Sequence, residues 1–143
     1  MESGGGGLVS TMADYARFCQ MMLNGGQLYG ARILSKKSID LMAKNVLTDS
    51  QTIDSTGSLN GTTSQRVGFG LNFGIIMGEA SEISGYGDGS YFWGGAASTW
   101  FWIDPKNDLF FIGMVQQFPK PPPAVNPDFR KTSQQFVYDA LTD

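Results

Sequence analysis

The chain has 143 residues, of which 41% are hydrophobic and 13% aromatic, so it can form one domain with a core. Its net charge of −3 and its lack of a basic cluster beyond two Lys/Arg pairs predict no nucleic-acid partner. One cysteine and no histidine exclude an internal disulfide, a Cys/His metal site and a Ser-His-Asp relay. No apolar run approaches the ~18 residues that a membrane span needs. The cellular location stays open.

The first predicted element is a helix from about Thr11 to Leu23. Thr11 and Asp14 fit a capping box, and Asn24-Gly25-Gly26 supply residues that tolerate positive φ where the helix ends. Apolar residues recur at helical spacing, namely Tyr15, Phe18, Cys19, Met22 and Leu23. Cys19 lies on this apolar face, and the pattern predicts an inert core thiol there.

A second helix is predicted from the cap Ser35 to about Lys44, with Ile39, Met42 and Ala43 turned inward. Residues 45–65 are polar and rich in Ser, Thr and Gly, which is typical of a long loop.

The hydrophobic period then changes from helical to alternating. Bulky residues alternate with small or polar ones from Val67 to Ile75, which predicts one strand with a nearly bare face. A glycine-rich connection follows over residues 78–90. Asp88 within it is interpreted as a turn former, with a general base as the alternative.

Two further strands are predicted, from about Phe92 to Ile103 and from Leu109 to Gln116, joined by a turn at Asp104-Pro105. The run from Leu109 to Val115 has no polar face, which indicates a central strand covered on both sides.

A proline-rich spacer, residues 119–123, precedes a last helix from about Pro127 to Leu141, with Asn126 as its N-cap. One stripe of this helix should pack on the sheet, namely Phe129, Ser133, Phe136, Val137, Ala140 and Leu141.

Small residues from Gly94 to Ala97 open the aromatic strand, and this run has two interpretations. Without side chains, a ligand can approach the backbone N–H groups closely, as an oxyanion site requires. Alternatively, the strand is crowded by a neighbour and only small residues fit.

Five motifs, in order, resemble the C-terminal half of serine β-lactamase-like hydrolases, a superfamily that includes class C β-lactamases and penicillin-binding proteins. The resemblance is greatest to the family VIII carboxylesterases. The motifs are Ser3-Gly4-Gly5-Gly6-Gly7-Leu8-Val9-Ser10-Thr11, Asp14-Tyr15-Ala16-Arg17-Phe18, Leu23-Asn24-Gly25-Gly26, Arg32-Ile33-Leu34-Ser35 and Trp93-Gly94-Gly95.

The resemblance implies an α+β fold in which an antiparallel sheet is flanked by helices, here an incomplete C-terminal part with three strands. Residues 1–66 would be the end of a helical lobe and a connecting loop. Residues 67–143 would hold the C-terminal strands and the final helix. A sheet divided in this way leaves an unpaired edge, so the expected partner is the N-terminal half of the same enzyme or a second copy, through strand pairing.

The family's catalytic motifs, Ser-x-x-Lys and Tyr-x-Asn or Tyr-x-Ser, do not occur in this chain. We therefore expect the chain alone to be inactive, with no catalytic residue of its own. It would be a C-terminal fragment or subunit of a serine hydrolase that needs no cofactor and no metal.

The resemblance also implies a substrate-binding role for Trp93, Gly94, Gly95 and Ala96. This stretch matches the Lys-Thr-Gly strand of penicillin-binding relatives, and the N–H of Ala96 would be an oxyanion donor. Trp93 replaces a cation that would bind a carboxylate, which favours a small ester over a lactam. The alternatives are a β-lactamase or D,D-peptidase-type hydrolase, and a non-catalytic binding module of the same fold. Trp100 and Trp102 are interpreted as core residues.

Overall fold

A computed structural model describes residues 7–48, 67–78, 86–117 and 129–141. Helices in these residues are α1 (Met12–Leu23), α2 (Lys36–Met42) and α3 (Phe129–Asp139). Strands are β1 (Gln27–Leu28), β2 (Ala31–Arg32), β3 (Val67–Phe69), β4 (Gly74–Ile76), β5 (Tyr91–Gly94), β6 (Trp100–Asp104) and β7 (Leu109–Gly113). Strands β3 to β7 form an antiparallel sheet in sequence order, and β1 and β2 form a small ribbon. The predicted α+β fold with an antiparallel sheet is confirmed.

Helix α1 begins and ends where the sequence predicts. The Thr11 hydroxyl accepts a hydrogen bond from the Asp14 N–H at 3.1 Å, which satisfies one of the free donors of the first turn. After Asn24, Gly25 and Gly26 adopt φ values of 64° and 93°. A side chain at Gly26 would collide with the Leu34 carbonyl, so this turn needs glycine for space as well as for conformation.

Helix α2 and the residues after it cover the outer edge of β3. The Ser35 hydroxyl accepts from the Ser38 N–H at 3.0 Å, which confirms the predicted cap. Beyond the helix, the Asn45 side-chain oxygen accepts from the Phe69 N–H at 3.0 Å, and the Val46 N–H donates to the Phe69 carbonyl at 2.8 Å. Residues 49–65 of the predicted loop lie outside the described residues.

The prediction of three strands was wrong, because two predicted strands are each a hairpin. The stretch from Val67 to Ile75 turns at Asn72, whose φ is 74°, and becomes β3 and β4. The stretch from Phe92 to Ile103 turns over residues 95–99, where Ser98 has a φ of 73°, and becomes β5 and β6. The bulky/small alternation continues through the first turn and conceals it, and the run of small residues at 94–99 was interpreted as part of one strand. The described sheet therefore has five strands.

Apolar side chains cover both faces of the sheet. On one face, Tyr91, Phe101 and Ile103 pack with Phe73, Ile75 and the buried residues of α1, including Cys19 and Met22. On the other face, Trp102 is fully buried and its indole stacks on Phe111 at 4.4 Å between ring centroids. Trp100 also stacks on Phe111, at 6.2 Å. Cys19, Trp100 and Trp102 are thus packing residues, as predicted.

Strand β7 is at an edge of the sheet formed by the described strands, so its predicted central position in a complete sheet stays a prediction. It pairs with β6 on one side, and no other described strand pairs with its far side. Its side chains from Leu109 to Ile112 are half-buried although the strand carries no polar residue. A strand without polar side chains is typical of a sheet interior that is covered on both faces. Its edge position applies to the sheet of described strands.

The inward face of helix α3 matches the predicted stripe only in part: Ser133 and Val137 are half-buried, and the other predicted residues are exposed. Phe136 is 71% exposed, and Phe129 and Leu141 are exposed too. The inward stripe is Arg130, Gln134 and Tyr138, because the sheet presents polar partners to this helix: the Asp104 carboxylate and two turn carbonyls. The predicted cap Asn126 and the spacer at 119–123 lie outside the described residues. The division at residues 66 and 67 stays a prediction.

Burial of Cys19 predicts a loss of stability at alkaline pH. Burial raises the pKa of this thiol from 9.0 to about 12. Because the pKa of the thiol is higher in the folded than in the unfolded state, the contribution of the protonated thiol to the free energy of unfolding is complete below about pH 9. This contribution is lost as the pH rises toward 12, by up to ~1.4 kcal/mol per pH unit. The free energy of unfolding of Cys19→Ala should therefore fall less steeply in this window than that of the wild type.

Urea unfolding at several pH values, monitored by tryptophan fluorescence, measures how steeply the free energy of unfolding falls with pH in the wild type and in Cys19→Ala. Loss of packing in Cys19→Ala lowers stability at every pH, so the slopes and not the absolute values are compared. The pKa of Tyr15 is raised to about 12 by burial and by the nearby thiol; the part due to the thiol disappears in Cys19→Ala and adds to the expected difference between the slopes. Identical slopes would contradict the prediction.

Candidate active site

Trp93 is the side chain that the predicted site presents to solvent. It is the third residue of β5 and 36% exposed. Its indole lies edge-on against the Phe69 ring, with centroids 5.4 Å apart and an interplanar angle of 70°. The two rings pack against each other, and part of the indole stays accessible as an apolar surface.

Gly94 and Gly95 lack side chains for a reason of packing. A Cβ at Gly94 would lie 2.5 Å from Nη2 of Arg130, and one at Gly95 would lie 2.5 Å from Oγ1 of Thr99. These contacts agree with the crowding alternative raised by the sequence, and the atoms in contact are the ends of side chains that can shift. Their predicted role in substrate binding stays a prediction.

Residues 95–99 form a tight turn in which the N–H groups of Ala96, Ala97 and Thr99 have no hydrogen-bond partner within the described residues, and of these three residues Ala96 alone is exposed. The Gly95 N–H donates to the Thr99 carbonyl at 2.8 Å, and the Ser98 N–H donates to the Gly95 carbonyl at 3.1 Å. Ala96 is exposed, and its N–H makes no hydrogen bond within the described part of the chain. This N–H can therefore donate to a ligand.

The chain after β7 holds the same turn from its other end. The Gln117 N–H donates to the Ala97 carbonyl at 3.0 Å, and the Ser98 hydroxyl donates to the Gln117 carbonyl at 3.1 Å. Together with the bonds inside the turn, these two contacts fix the Gly95-Ala96 peptide group and the Ala97-Ser98 peptide group. Such fixed donors are what oxyanion stabilisation requires.

Arg130 is a site residue that the sequence did not indicate. It is half-buried, and its Nη2 lies 3.5 Å from the Gly95 carbonyl oxygen and 3.3 Å from that of Thr99. The available signal was the polar stripe at i, i+4 and i+8 with Gln134 and Tyr138, which the apolar stripe concealed.

The two acidic candidates serve the fold. Asp88 accepts from the Gly78 N–H at 2.8 Å, which confirms the turn-forming interpretation. Asp104 is fully buried and accepts from the Tyr138 hydroxyl at 2.6 Å and from the Asn107 side-chain amide at 2.7 Å. Both carboxylates already have protein donors as partners.

The described residues of the candidate site offer an apolar surface at Trp93 and a backbone donor at Ala96. Burial raises the pKa of Cys19, so its thiol resists conversion to the reactive thiolate. Burial also raises the pKa values of Tyr15, Tyr91 and Tyr138. Among the described residues, no three His, Cys, Asp or Glu residues come together as a metal site. No helix in the described part is long and apolar enough to cross a membrane.

Comparison with known proteins identifies the family in which this turn and strand occur. A family model described as beta-lactamase matches residues 1–135. Two curated proteins of Mycobacterium tuberculosis, "Uncharacterized protein MT1414" of strain CDC 1551 / Oshkosh and "Protein Rv1367c" of strain ATCC 25618 / H37Rv, are each 38% identical over 118 residues. The match covers 80% of this chain but 29% of each relative.

The contact between Gly94 and Arg130 predicts an energetic coupling between the two positions. Gly94→Ala should destabilise the protein by less than the ~1–3 kcal/mol of overpacking a rigid core, because the flexible end of the Arg130 side chain can shift away from the new methyl group. In an Arg130→Ala background the same change should cost clearly less, because the space is then empty.

Urea unfolding of the wild type, both single variants and the double variant measures this coupling. The same cycle with Lys131→Ala is the matched control, since Lys131 is an exposed cation on the same helix turn. Equal costs of Gly94→Ala in all backgrounds would show that Arg130 does not occupy this space.

Proposed function

Because this chain belongs to the beta-lactamase family, we propose that it is the C-terminal part of a serine hydrolase that cleaves carboxylic esters through an acyl-enzyme. The nucleophilic Ser-x-x-Lys and the Tyr motif would lie in an N-terminal part. This chain would supply the Trp93-Gly94-Gly95 strand and the Ala96 N–H. The observation that carries the proposal is that Ala96 is exposed and its N–H has no partner within the described residues, three positions after an accessible indole.

The reaction needs this N–H at the stage when charge develops. The serine oxygen would attack the ester carbonyl carbon, and the carbonyl oxygen would become negatively charged. The Ala96 N–H and the N–H of the serine itself would donate to that oxygen, each such donor contributing about 2.7–4 kcal/mol to transition-state stabilisation. Collapse releases the alcohol, which takes a proton from the Lys/Tyr system. Water then hydrolyses the acyl-serine to a carboxylic acid and free enzyme.

Trp93 is the reason for proposing an ester substrate, as in family VIII carboxylesterases. An indole held against Phe69 is an apolar wall that suits an uncharged acyl or alcohol group. Enzymes acting on β-lactams or cell-wall peptides bind a carboxylate, for which a cation is the better partner. The β-lactamase or D,D-peptidase alternative and the binding-module alternative make different predictions in the experiments below.

The far edge of β7 is a place where a partner strand can pair. Strand β7 is wholly apolar, half-exposed and unpaired on its far side within the described residues. An edge of this kind pairs readily with another strand. We propose that the N-terminal part of the full-length protein supplies that strand, and that a second copy of the chain takes its place when the chain is isolated.

The isolated chain should show no esterase turnover above background, because it lacks Ser-x-x-Lys and the paired Tyr. Light scattering should show association, because β7 seeks a partner. Adding or co-expressing the N-terminal part of the full-length protein should restore both a compact species and hydrolysis of a nitrophenyl ester.

A matched control uses an N-terminal part whose motif serine is replaced by alanine. It should restore the compact species and not the activity. Burst release of nitrophenol by the isolated chain, with an adduct on one of its serines, would contradict the assignment. A restored compact species without activity toward esters or lactams would favour the binding-module alternative.

In the full-length protein, Trp93→Lys should lower kcat/KM for a neutral short-chain ester and raise it for a cephalosporin. The change exchanges an apolar wall for a cation, so discrimination between the substrates should shift by about 1–3 kcal/mol, as for one good pocket contact. Leu41→Lys, at an exposed position of α2, is the control for added charge.

Steady-state kinetics on both substrates measure the shift. If Trp93→Lys changes both by the same factor, Trp93 is structural and the ester preference loses its support. A wild type that prefers the cephalosporin would favour the β-lactamase alternative.

A further inference from the structure

Arg130 lies against the back of the turn that carries Ala96. Its Nη2 is 3.5 Å from the Gly95 carbonyl oxygen and 3.3 Å from the Thr99 carbonyl oxygen, at the two ends of the turn. The guanidinium also occupies the space beside Gly94 that a Cβ would fill. One side chain from α3 therefore touches both ends of the β5–β6 connection.

The geometry of the peptide unit links this contact to the exposed face of the turn. The Gly95 carbonyl and the Ala96 N–H belong to one planar trans peptide, so the two groups point in opposite directions. The carbonyl is directed toward Arg130 and accepts as well from the Ser98 N–H at 3.1 Å. The Ala96 N–H consequently points away from α3.

The contact also affects the strength of the donor. A cation next to a carbonyl oxygen polarises the peptide and makes its N–H a better donor, because hydrogen bonds in a chain strengthen one another. Arg130 is held for this task by its own helix, since Tyr138, two turns further on, donates to the buried Asp104 at 2.6 Å.

We propose that Arg130 is a positioning residue for oxyanion stabilisation: it orients and polarises the Gly95-Ala96 peptide from the face opposite to the substrate. The proposal rests on the proposed function of the Ala96 N–H. It assigns the C-terminal helix a part in the reaction although the helix does not touch the substrate.

The test compares Arg130→Met, Arg130→Lys and the control Lys131→Met in the full-length protein, with a neutral nitrophenyl ester. Arg130→Met should lower kcat about tenfold with little change in KM, a fraction of the ~100–1000-fold loss that follows removal of an oxyanion donor. Arg130→Lys, which keeps a charged donor, should recover part of the rate. Lys131→Met should match the wild type.

A second measurement does not depend on turnover. The amide nitrogen chemical shift of Ala96 responds to hydrogen bonding at the Gly95 carbonyl, so it should move upfield in Arg130→Met, less in Arg130→Lys and not in Lys131→Met. Circular dichroism of each variant shows whether it is folded. If Arg130→Met fails to fold, the kcat and the Ala96 chemical shift of Arg130→Lys are compared with those of the wild type instead.

The outcomes separate this proposal from the one on which it rests. A wild type inactive on esters overturns the proposed function, and the Ala96 shift then still decides whether Arg130 controls this peptide. An unchanged Ala96 shift in folded Arg130 variants overturns the proposal. So does an active enzyme whose kcat is unaffected by Arg130→Met, or one in which Lys131→Met loses as much.

Discussion

The buried carboxylate of Asp104 is the constraint from which the arrangement of the C-terminal elements follows. A charge removed from water is costly unless hydrogen bonds replace its hydration. Asp104 accepts from the Tyr138 hydroxyl, the Asn107 side-chain amide and the Lys106 N–H, at 2.6, 2.7 and 3.0 Å. The pKa of Tyr138 is raised by burial and by this hydrogen bond, so its hydroxyl stays a donor. A side chain at position 87 would collide with the carboxylate, which explains why this residue is a glycine.

This bond sets which residues of α3 can reach the candidate site. From Tyr138 back to Arg130 the helix extends about 12 Å, at 1.5 Å per residue. From Asp104 back to Thr99 the extended strand covers about 16 Å, at 3.3 Å per residue. The long arginine side chain spans the difference, so its guanidinium reaches the carbonyls of the turn. Arginine can do this because its planar head carries several donors on a flexible stem.

Local features of the fold were predictable from the sequence, and those that depend on distant partners were not. The caps at Thr11 and Ser35 were predicted because each bond joins residues three positions apart. The hairpin turns at Asn72 and Ser98 were not, because positive φ at residues other than glycine leaves little trace in the sequence. Of the site, Trp93 to Ala96 were indicated by their resemblance to a known motif. Arg130 was not, since its partners lie more than 30 positions away.

The two interpretations of the small residues at the end of β5 are compatible, and one leads to the other. Gly94 and Gly95 are small because Arg130 and Thr99 fill the space on the α3 side. Because Arg130 draws the Gly95 carbonyl toward that side, the N–H of the same peptide is left on the opposite side. Crowding behind the turn thus creates the accessible donor in front of it. The two glycines thus fit the guanidinium and the threonine hydroxyl next to them, and their contact with a substrate stays a prediction. Under the proposed function, selectivity among substrates comes from side chains on the open face, of which Trp93 is the first.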